Sequence, residues 1–378
     1  MRAHKGGDDP PRPAAPYDDR IDHSADPSGA PAPSSLVDIA HRVEERVHVL
    51  LDAEATRWSA VDPDLRRLIE CLTAFVDAGG KRLRPAFCHW AYVGAGGDAG
   101  DPLVVDVGAA FELLHAFALV HDDVMDGSVQ RRGRPTAHTA HAARHARNGW
   151  RGDSRRFGDG VAILVGDLAF VYADMLVGAA PPAARAVYDE LRIELNIGQY
   201  LDVLGAARGP ADLATARRIT TYKSGKYTVE RPLHVGAALA GRLDELAAPL
   251  SDYGLPLGEA FQLRDDLLGA FGDAVSTGKP VGDDLREGKP TPLMAVATER
   301  ATGGAGRALR RVGDPRLTAE DVTELQEILV AVGARDEIER TIERLVVEAL
   351  DAVKAAPLAE EAQVALTELA NYVAWRDR

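Results

Sequence analysis

From Ser35 to the end of the chain, apolar residues recur at helical spacing. No alternating strand pattern and no strand–helix–strand rhythm interrupts them, so sheet-based architectures are excluded. Gly and Pro punctuate the pattern into predicted helices at roughly 36–58, 62–78, 81–95, 102–126, 134–146, 158–179, 181–204, 211–222, 225–240, 246–272, 290–301, 318–332 and 335–355. No composition break falls inside 36–378, which predicts one large all-α domain rather than two. Ala and Gly are plentiful while aromatics make up only 6% of the chain, a balance that suits closely packed helices. Residues 1–35 stand apart: Pro10, Pro11, Pro13, Pro16, Pro27, Pro31 and Pro33 alternate with Ala, Asp and Gly, which reads as a disordered tail.

Charge narrows the partners. The chain has 44 Lys+Arg against 58 Asp+Glu, a net −14, which argues against nucleic acid or an anionic membrane surface. The tail has no apolar stretch of secretory type, and its aspartates argue against a transit peptide, so a cytoplasmic location is expected. Val161 to Ala180 is the one run that resembles a membrane span, and it contains Asp167 and Asp174. Each would cost about 2.5–3.5 kcal/mol at mid-bilayer. Their spacing of seven puts them on one helical face, and the run is expected to be a helix of a soluble protein with that face toward a polar cavity. Only Cys71 and Cys88 occur, too few for a disulfide framework or a Cys-rich zinc site, and both read as buried small residues.

Chemistry concentrates where buried helices end in carboxylates. The apolar run Leu113–Val120 leads into His121-Asp122-Asp123-Val124-Met125-Asp126, and Asp122 and Asp126 are one turn apart on one face with Leu119, His115 and Glu112. Two carboxylates there repel unless a cation sits between them, and oxygen ligands point to Mg²⁺ with substrate phosphates. A second pair, Asp265-Asp266, lies in the apolar helix Glu259–Gly269, where Gln262 and Asp265 share a face. Basic segments surround them: Gly79-Gly80-Lys81-Arg82-Leu83-Arg84, Arg131-Arg132, Lys223-Ser224-Gly225-Lys226, Gly278-Lys279-Pro280 and Gly288-Lys289-Pro290. Lys81 and Arg84 are spaced to grip one anion. Carboxylate–Mg²⁺ clusters opposite Lys/Arg pairs are the equipment of a site for two diphosphates.

These motifs, in this order, resemble those of the trans-isoprenyl diphosphate synthases, the polyprenyl synthetase family, over roughly 36–378. Asp122–Asp126 is similar to the family's first aspartate-rich motif and Asp265–Gly269 to its second; Gly198-Gln199-Tyr200-Leu201-Asp202 also fits. The resemblance implies a single all-α helical bundle around a central elongated cavity, acting as a homodimer. It implies that Asp122, Asp126 and Asp265 ligate three Mg²⁺ ions when substrate is bound. Arg131, Lys223 and Lys279 would then hold the allylic diphosphate, and Lys81, Arg84, His115 and Arg132 isopentenyl diphosphate. Gln262, Ser224 and carbonyls near Lys223 would shield the allylic cation, and Lys289 lies in a segment that closes over the diphosphates. Two positions depart from the family pattern: Gly269 stands where many members have a third Asp, and Ser224 where Thr is common.

The implied reaction is head-to-tail condensation, in which isopentenyl diphosphate attacks an ionised allylic diphosphate and pyrophosphate leaves. Phe117 and Ala118, five and four residues before Asp122, resemble the pattern of geranylgeranyl (C20) synthases, with farnesyl (C15) synthases next. A terpene cyclase is disfavoured by Lys81, Arg84 and the second aspartate pair, and a non-catalytic subunit by the presence of both motifs. His138, His141 and His145 have helical spacing but no local carboxylate, which favours a solvated segment over a zinc site. Arg144 to Arg156 reads as a basic surface connection.

Overall fold

The computed structural model describes residues 32–209, 212–272, 281–314 and 316–375. The predicted tail therefore lies outside the described residues as far as position 31, and Lys279 lies outside them as well. Ten helices build the part of the fold that carries the chemistry: α1 (Ser34–Ser59), α2 (Arg66–Asp77), α3 (Leu83–Gly94), α4 (Pro102–Asp126), α5 (Ala137–Arg147), α6 (Ser154–Val177), α7 (Pro182–Arg208), α8 (Leu213–Thr220), α9 (Arg231–Leu239) and α10 (Leu243–Phe271). Further helices follow α10, among them Asp283–Glu287, Ala334–Ala355 and Glu360–Trp375. The strand structure among the described residues is a hairpin pairing Gln130–Arg131 with Arg134–Pro135.

Helix α4 is the axis of the bundle, and its ends are written in the sequence. The Asp101 side chain accepts from Leu103 N, Pro102 fills the first turn where no amide is needed, and Gly127 ends the helix at φ 67°. Between those ends Phe111, Leu113 and Leu114 are fully buried, each contributing about 1.5–3 kcal/mol through the apolar surface it removes from water. Helices α1, α3 and α6 pack directly on α4. Both α4 and α6 are long and apolar enough to cross a membrane, and in the fold they pack on each other.

The chain from α8 to α9 does not break at Lys223-Ser224. It continues through a π-helical stretch, Thr221–Glu230, squeezed between α7 and α10. Gly198 on α7 and Gly258 on α10 make this possible. A Cβ at 198 would lie 2.6 Å from Lys223 Cα, and one at 258 would lie 2.6 Å from the Gly225 carbonyl oxygen. Backbone contact on both sides fixes the height at which Lys223 and Ser224 enter the bundle. Wide turns of this kind often mark functional sites.

Two surface expectations are corrected. His138, His141 and His145 line the buried face of α5 instead of a solvated one; His145 packs against Trp150 and Phe157 and its Nε2 is 3.0 Å from Arg151 O. Asp167 and Asp174 face outward, not into a cavity, beside exposed Ile163, Leu164, Val171 and Met175.

Candidate active site

Two helices bring three carboxylates together at the C-terminal end of α4. Asp122 and Asp126 come from the last turn of α4 and Asp202 from α7, with one oxygen of each within 4.8 Å of the others. Asp202 was not assigned a role from sequence; its signal was the Gly198–Asp202 segment, in which Gln199 and Asp202 share a face. Gln199 Nε2 donates to Asp122 Oδ1 at 2.8 Å. Lys223 Nζ bridges Asp122 Oδ1 at 3.2 Å and Asp202 Oδ2 at 2.5 Å. On the other side Lys289 Nζ lies 3.6 Å from Asp126 Oδ2 and 2.7 Å from Glu287.

The two α4 carboxylates have opposite proton affinities. Burial alone would raise Asp122, but Lys223, Lys289, Arg131 and the Gln199 hydrogen bond outweigh it and hold the pKa at about 2. Asp126 is pushed up to about 6 by burial and then by the charge of Asp122, with Lys289 and Lys223 too weak to offset them. Its Oδ2 is buried without a hydrogen-bond partner. An oxygen-only set with one unsatisfied carboxylate oxygen suits a hard divalent cation such as Mg²⁺. Asp123, between them in sequence, points away and clamps Arg131, whose Nε donates to Asp123 Oδ1 at 2.9 Å. Arg131 also reaches Asp122 at 3.4 Å.

A cationic pocket lies farther down the same helix. Arg84 Nη2 donates to Thr228 Oγ1 at 2.9 Å, its guanidinium stacks 4.2 Å from the Tyr227 ring, and its Nε has no hydrogen-bond partner. His115 sits beside Tyr227, and burial followed by repulsion from Arg84, Arg132, Arg131 and Arg82 holds its pKa well below the usual imidazole value. Arg132 is lowered to about 10 by burial and then by Arg82 and Arg131. A buried Arg132 whose charge is opposed by burial and by its arginine neighbours gains from an anion placed beside it. Lys81 packs over the Tyr372 ring at 5.8 Å. Arg82 is a support: it donates to Glu44 at 2.9 Å, Glu112 at 2.6 Å and Val76 O at 2.8 Å, joining α1, α4 and α2 to the Lys81 loop and to the start of α3, which carries Arg84.

The second acidic motif is placed differently. Asp265 is half-buried on α10 and is not part of the three-carboxylate cluster. Gln262 Nε2 donates to Asp266 at 2.9 Å, so its amide serves that carboxylate. Asp266 is enclosed, and burial, with Asp284 and Asp265 adding to it, drives its pKa well above the usual carboxylate range. Toward the base of α4, the Phe117 ring lies 4.7 Å from His121 and 4.9 Å from Phe170. Arg192 stacks beneath on Phe170 and Tyr188.

Helical bundle, clustered carboxylates and facing cations define a helical transferase that handles diphosphates. The chain belongs to the polyprenyl synthetase family, whose model matches residues 66–330. These are trans-prenyltransferases that make isoprenyl diphosphates. A geranylgeranyl pyrophosphate synthase from Corynebacterium glutamicum, crystallised with isoprenyl diphosphate and magnesium, superposes with a TM-score of 0.86 at 35% identity, covering 91% of this chain and 99% of that one. A geranylgeranyl diphosphate synthase from Mycobacterium tuberculosis is 34% identical over 68% of this chain and 69% of its own length. A geranylfarnesyl diphosphate synthase from Aeropyrum pernix is 31% identical over 87% of this chain and 99% of its own.

Proposed function

We propose that this prenyltransferase condenses isopentenyl diphosphate with an allylic diphosphate and releases geranylgeranyl diphosphate as its main product. The observation that carries the reading is the pairing on α4: a carboxylate cluster at Asp122, Asp126 and Asp202, and a cationic pocket at Arg84, His115 and Arg132. The first set, with Asp265 across from it, would hold three Mg²⁺ ions; the donor set is all oxygen, as Mg²⁺ requires. When bound, those ions stabilise charge on the departing diphosphate.

The protein's own residues do the rest. Lys223 and Arg131, already placed by carboxylates, neutralise the allylic diphosphate, with Lys279 in the same role from outside the described residues. Lys81, Arg84, His115 and Arg132 hold isopentenyl diphosphate; a neutral His115 donates a hydrogen bond there without adding to the repulsion among the arginines. Lys289 meets the diphosphates from the opposite side. Gln262, the Ser224 hydroxyl and nearby carbonyls turn their dipoles toward the allylic cation, and the closed site excludes water that would quench it. No protein base is needed, because the departing pyrophosphate accepts the proton.

Phe117 backed by Phe170 forms the floor against which the growing chain stops, and Ala118 leaves room for a chain longer than C15. We also assign the enzyme a cytoplasmic homodimeric form. Ile163, Leu164, Val171 and Met175 on α6 and Ile193 and Ile197 on α7 expose an apolar face suited to a second copy of the chain.

The test is incubation of purified protein with Mg²⁺, isopentenyl diphosphate and, in turn, dimethylallyl, geranyl and farnesyl diphosphate, followed by product chromatography. A C20 product is expected, lengthened by Phe117→Ala and shortened by Ala118→Phe. A C15 product would move the assignment to a farnesyl synthase, and no condensation with any primer would refute the reading.

A further inference from the structure

Gly269 ends the second acidic motif without a carboxylate, yet the space at that turn of α10 is occupied. A Cβ built on Gly269 would overlap the carboxylate of Asp284, which arrives from the short helix Asp283–Glu287. Asp284 lies 3.8 Å from Lys289 Nζ, the same ammonium that lies 3.6 Å from Asp126. Asp284 therefore stands between the second motif and the first. Beside it Asp266 is only 5% exposed, and its Oδ2 has no hydrogen-bond partner. A buried carboxylate oxygen facing further carboxylates is costly until a cation arrives to share it.

We propose that Asp284 supplies, from a separate helix, the third carboxylate that the second motif lacks at position 269, and that Gly269 is glycine because Asp284 fills its side-chain space. The inference rests on the Mg²⁺–diphosphate reading above. It adds that the missing ligand is relocated, not lost. A carboxylate at 269 would be fixed to α10, whereas Asp284 is five residues from Lys289 and on the same short segment. Cation capture and the approach of Lys289 to the diphosphates then become one event.

The experiment compares the full-length parent with Asp284→Asn, Gly269→Asp and the exchange variant Gly269→Asp/Asp284→Gly. Two quantities are read: the rise in melting temperature on adding Mg²⁺ with inorganic pyrophosphate, and the Mg²⁺ concentration for half-maximal condensation. Asp284→Asn, which keeps the shape, is expected to raise the Mg²⁺ requirement about ten- to hundredfold and to remove most of the melting shift. Gly269→Asp is expected to do the same by displacing Asp284, and the exchange variant to recover much of both. An unchanged Mg²⁺ requirement and melting shift in Asp284→Asn, or an exchange variant no better than Gly269→Asp alone, would overturn the inference while leaving the function intact. A parent that gives no shift and no condensation would overturn both. Melting without Mg²⁺ reports whether each variant folds.

Discussion

The two acidic motifs begin with the same Asp-Asp pair, and the bundle treats them in opposite ways. Around Asp122 the chain has assembled Lys223, Lys289, Arg131 and Gln199, so that carboxylate is ionised before any metal arrives. Around Asp266 it has placed apolar helix and other carboxylates, so that group holds its proton. Protonation is set by what neighbouring helices deliver, and the motif itself says nothing about it. The difference assigns an order to assembly: Asp122 stands ready as an anion, while Asp266 becomes anionic only when a cation makes ionisation favourable.

The largest effect that would break this contrast lies in the first motif. Asp122→Asn should lose about 3–4 kcal/mol of transition-state stabilisation, measured as kcat in a steady-state assay; a near-normal kcat would show that the first motif is not where charge is handled. Lys223→Met should come next. It removes the ammonium that holds Asp122 and Asp202 together and should destabilise the metal-free protein by about 3 kcal/mol in denaturant unfolding, with Mg²⁺ restoring part of the loss.

Within the first motif, pH should separate the two carboxylates. Asp126 is raised to about 6 from 3.8, so the folded state binds the extra proton and metal-free stability falls as pH rises through about 4 to 6. Asp122 is lowered to about 2, so its contribution is complete above about 4 and is lost as pH falls toward 2. Mg²⁺ must displace the Asp126 proton below about pH 6, and titration calorimetry in buffers of different ionisation enthalpy should record proton release there. In Asp126→Asn the part of the release that sets in below about pH 6 should vanish, leaving that of Asp266.

The smallest effect is expected in the second motif. Asp266→Asn keeps the Gln262 hydrogen bond and removes the cost of holding a buried carboxyl protonated above its ordinary range. Metal-free stability should rise by about 1 kcal/mol while the Mg²⁺-induced melting shift shrinks. A fall in metal-free stability would mean that Asp266 is already ionised and paired.

Much of this was legible in sequence because local chemistry wrote it. The range of α4 was predicted as 102–126, the residues it occupies, because Pro102 and Gly127 are start and stop signals that depend on no distant contact. The Asp122/Asp126 pairing followed from helical spacing alone. What escaped depended on packing. Lys223-Ser224 read as a break between helices at 211–222 and 225–240, whereas here α10 presses on Gly225 and the winding widens through the segment instead. Asp202 was seen only as part of the Gly198–Asp202 segment and given no role, because the carboxylates it joins lie on another helix. The three histidines of α5 read as solvated because their neighbours in sequence are charged, although the histidine face is the one that α6 covers. Asp167 and Asp174 were correctly placed on one face, but sequence does not say whether a face looks inward or outward.

The crossing of Gly198, Gly225 and Gly258 sets how this enzyme can change. Where side chains pack on side chains, a substitution can be absorbed by a rotamer change or a small shift of a helix. At this crossing backbone meets backbone, and there is no soft layer to absorb anything. The height of Lys223 above the carboxylates therefore cannot be tuned in small steps through its supports: a methyl added at Gly198 or Gly258 displaces a whole segment. Laboratory evolution of this scaffold should accumulate its gradual changes at Phe117, Ala118 and Phe170, and show only all-or-nothing responses at Gly198 and Gly258.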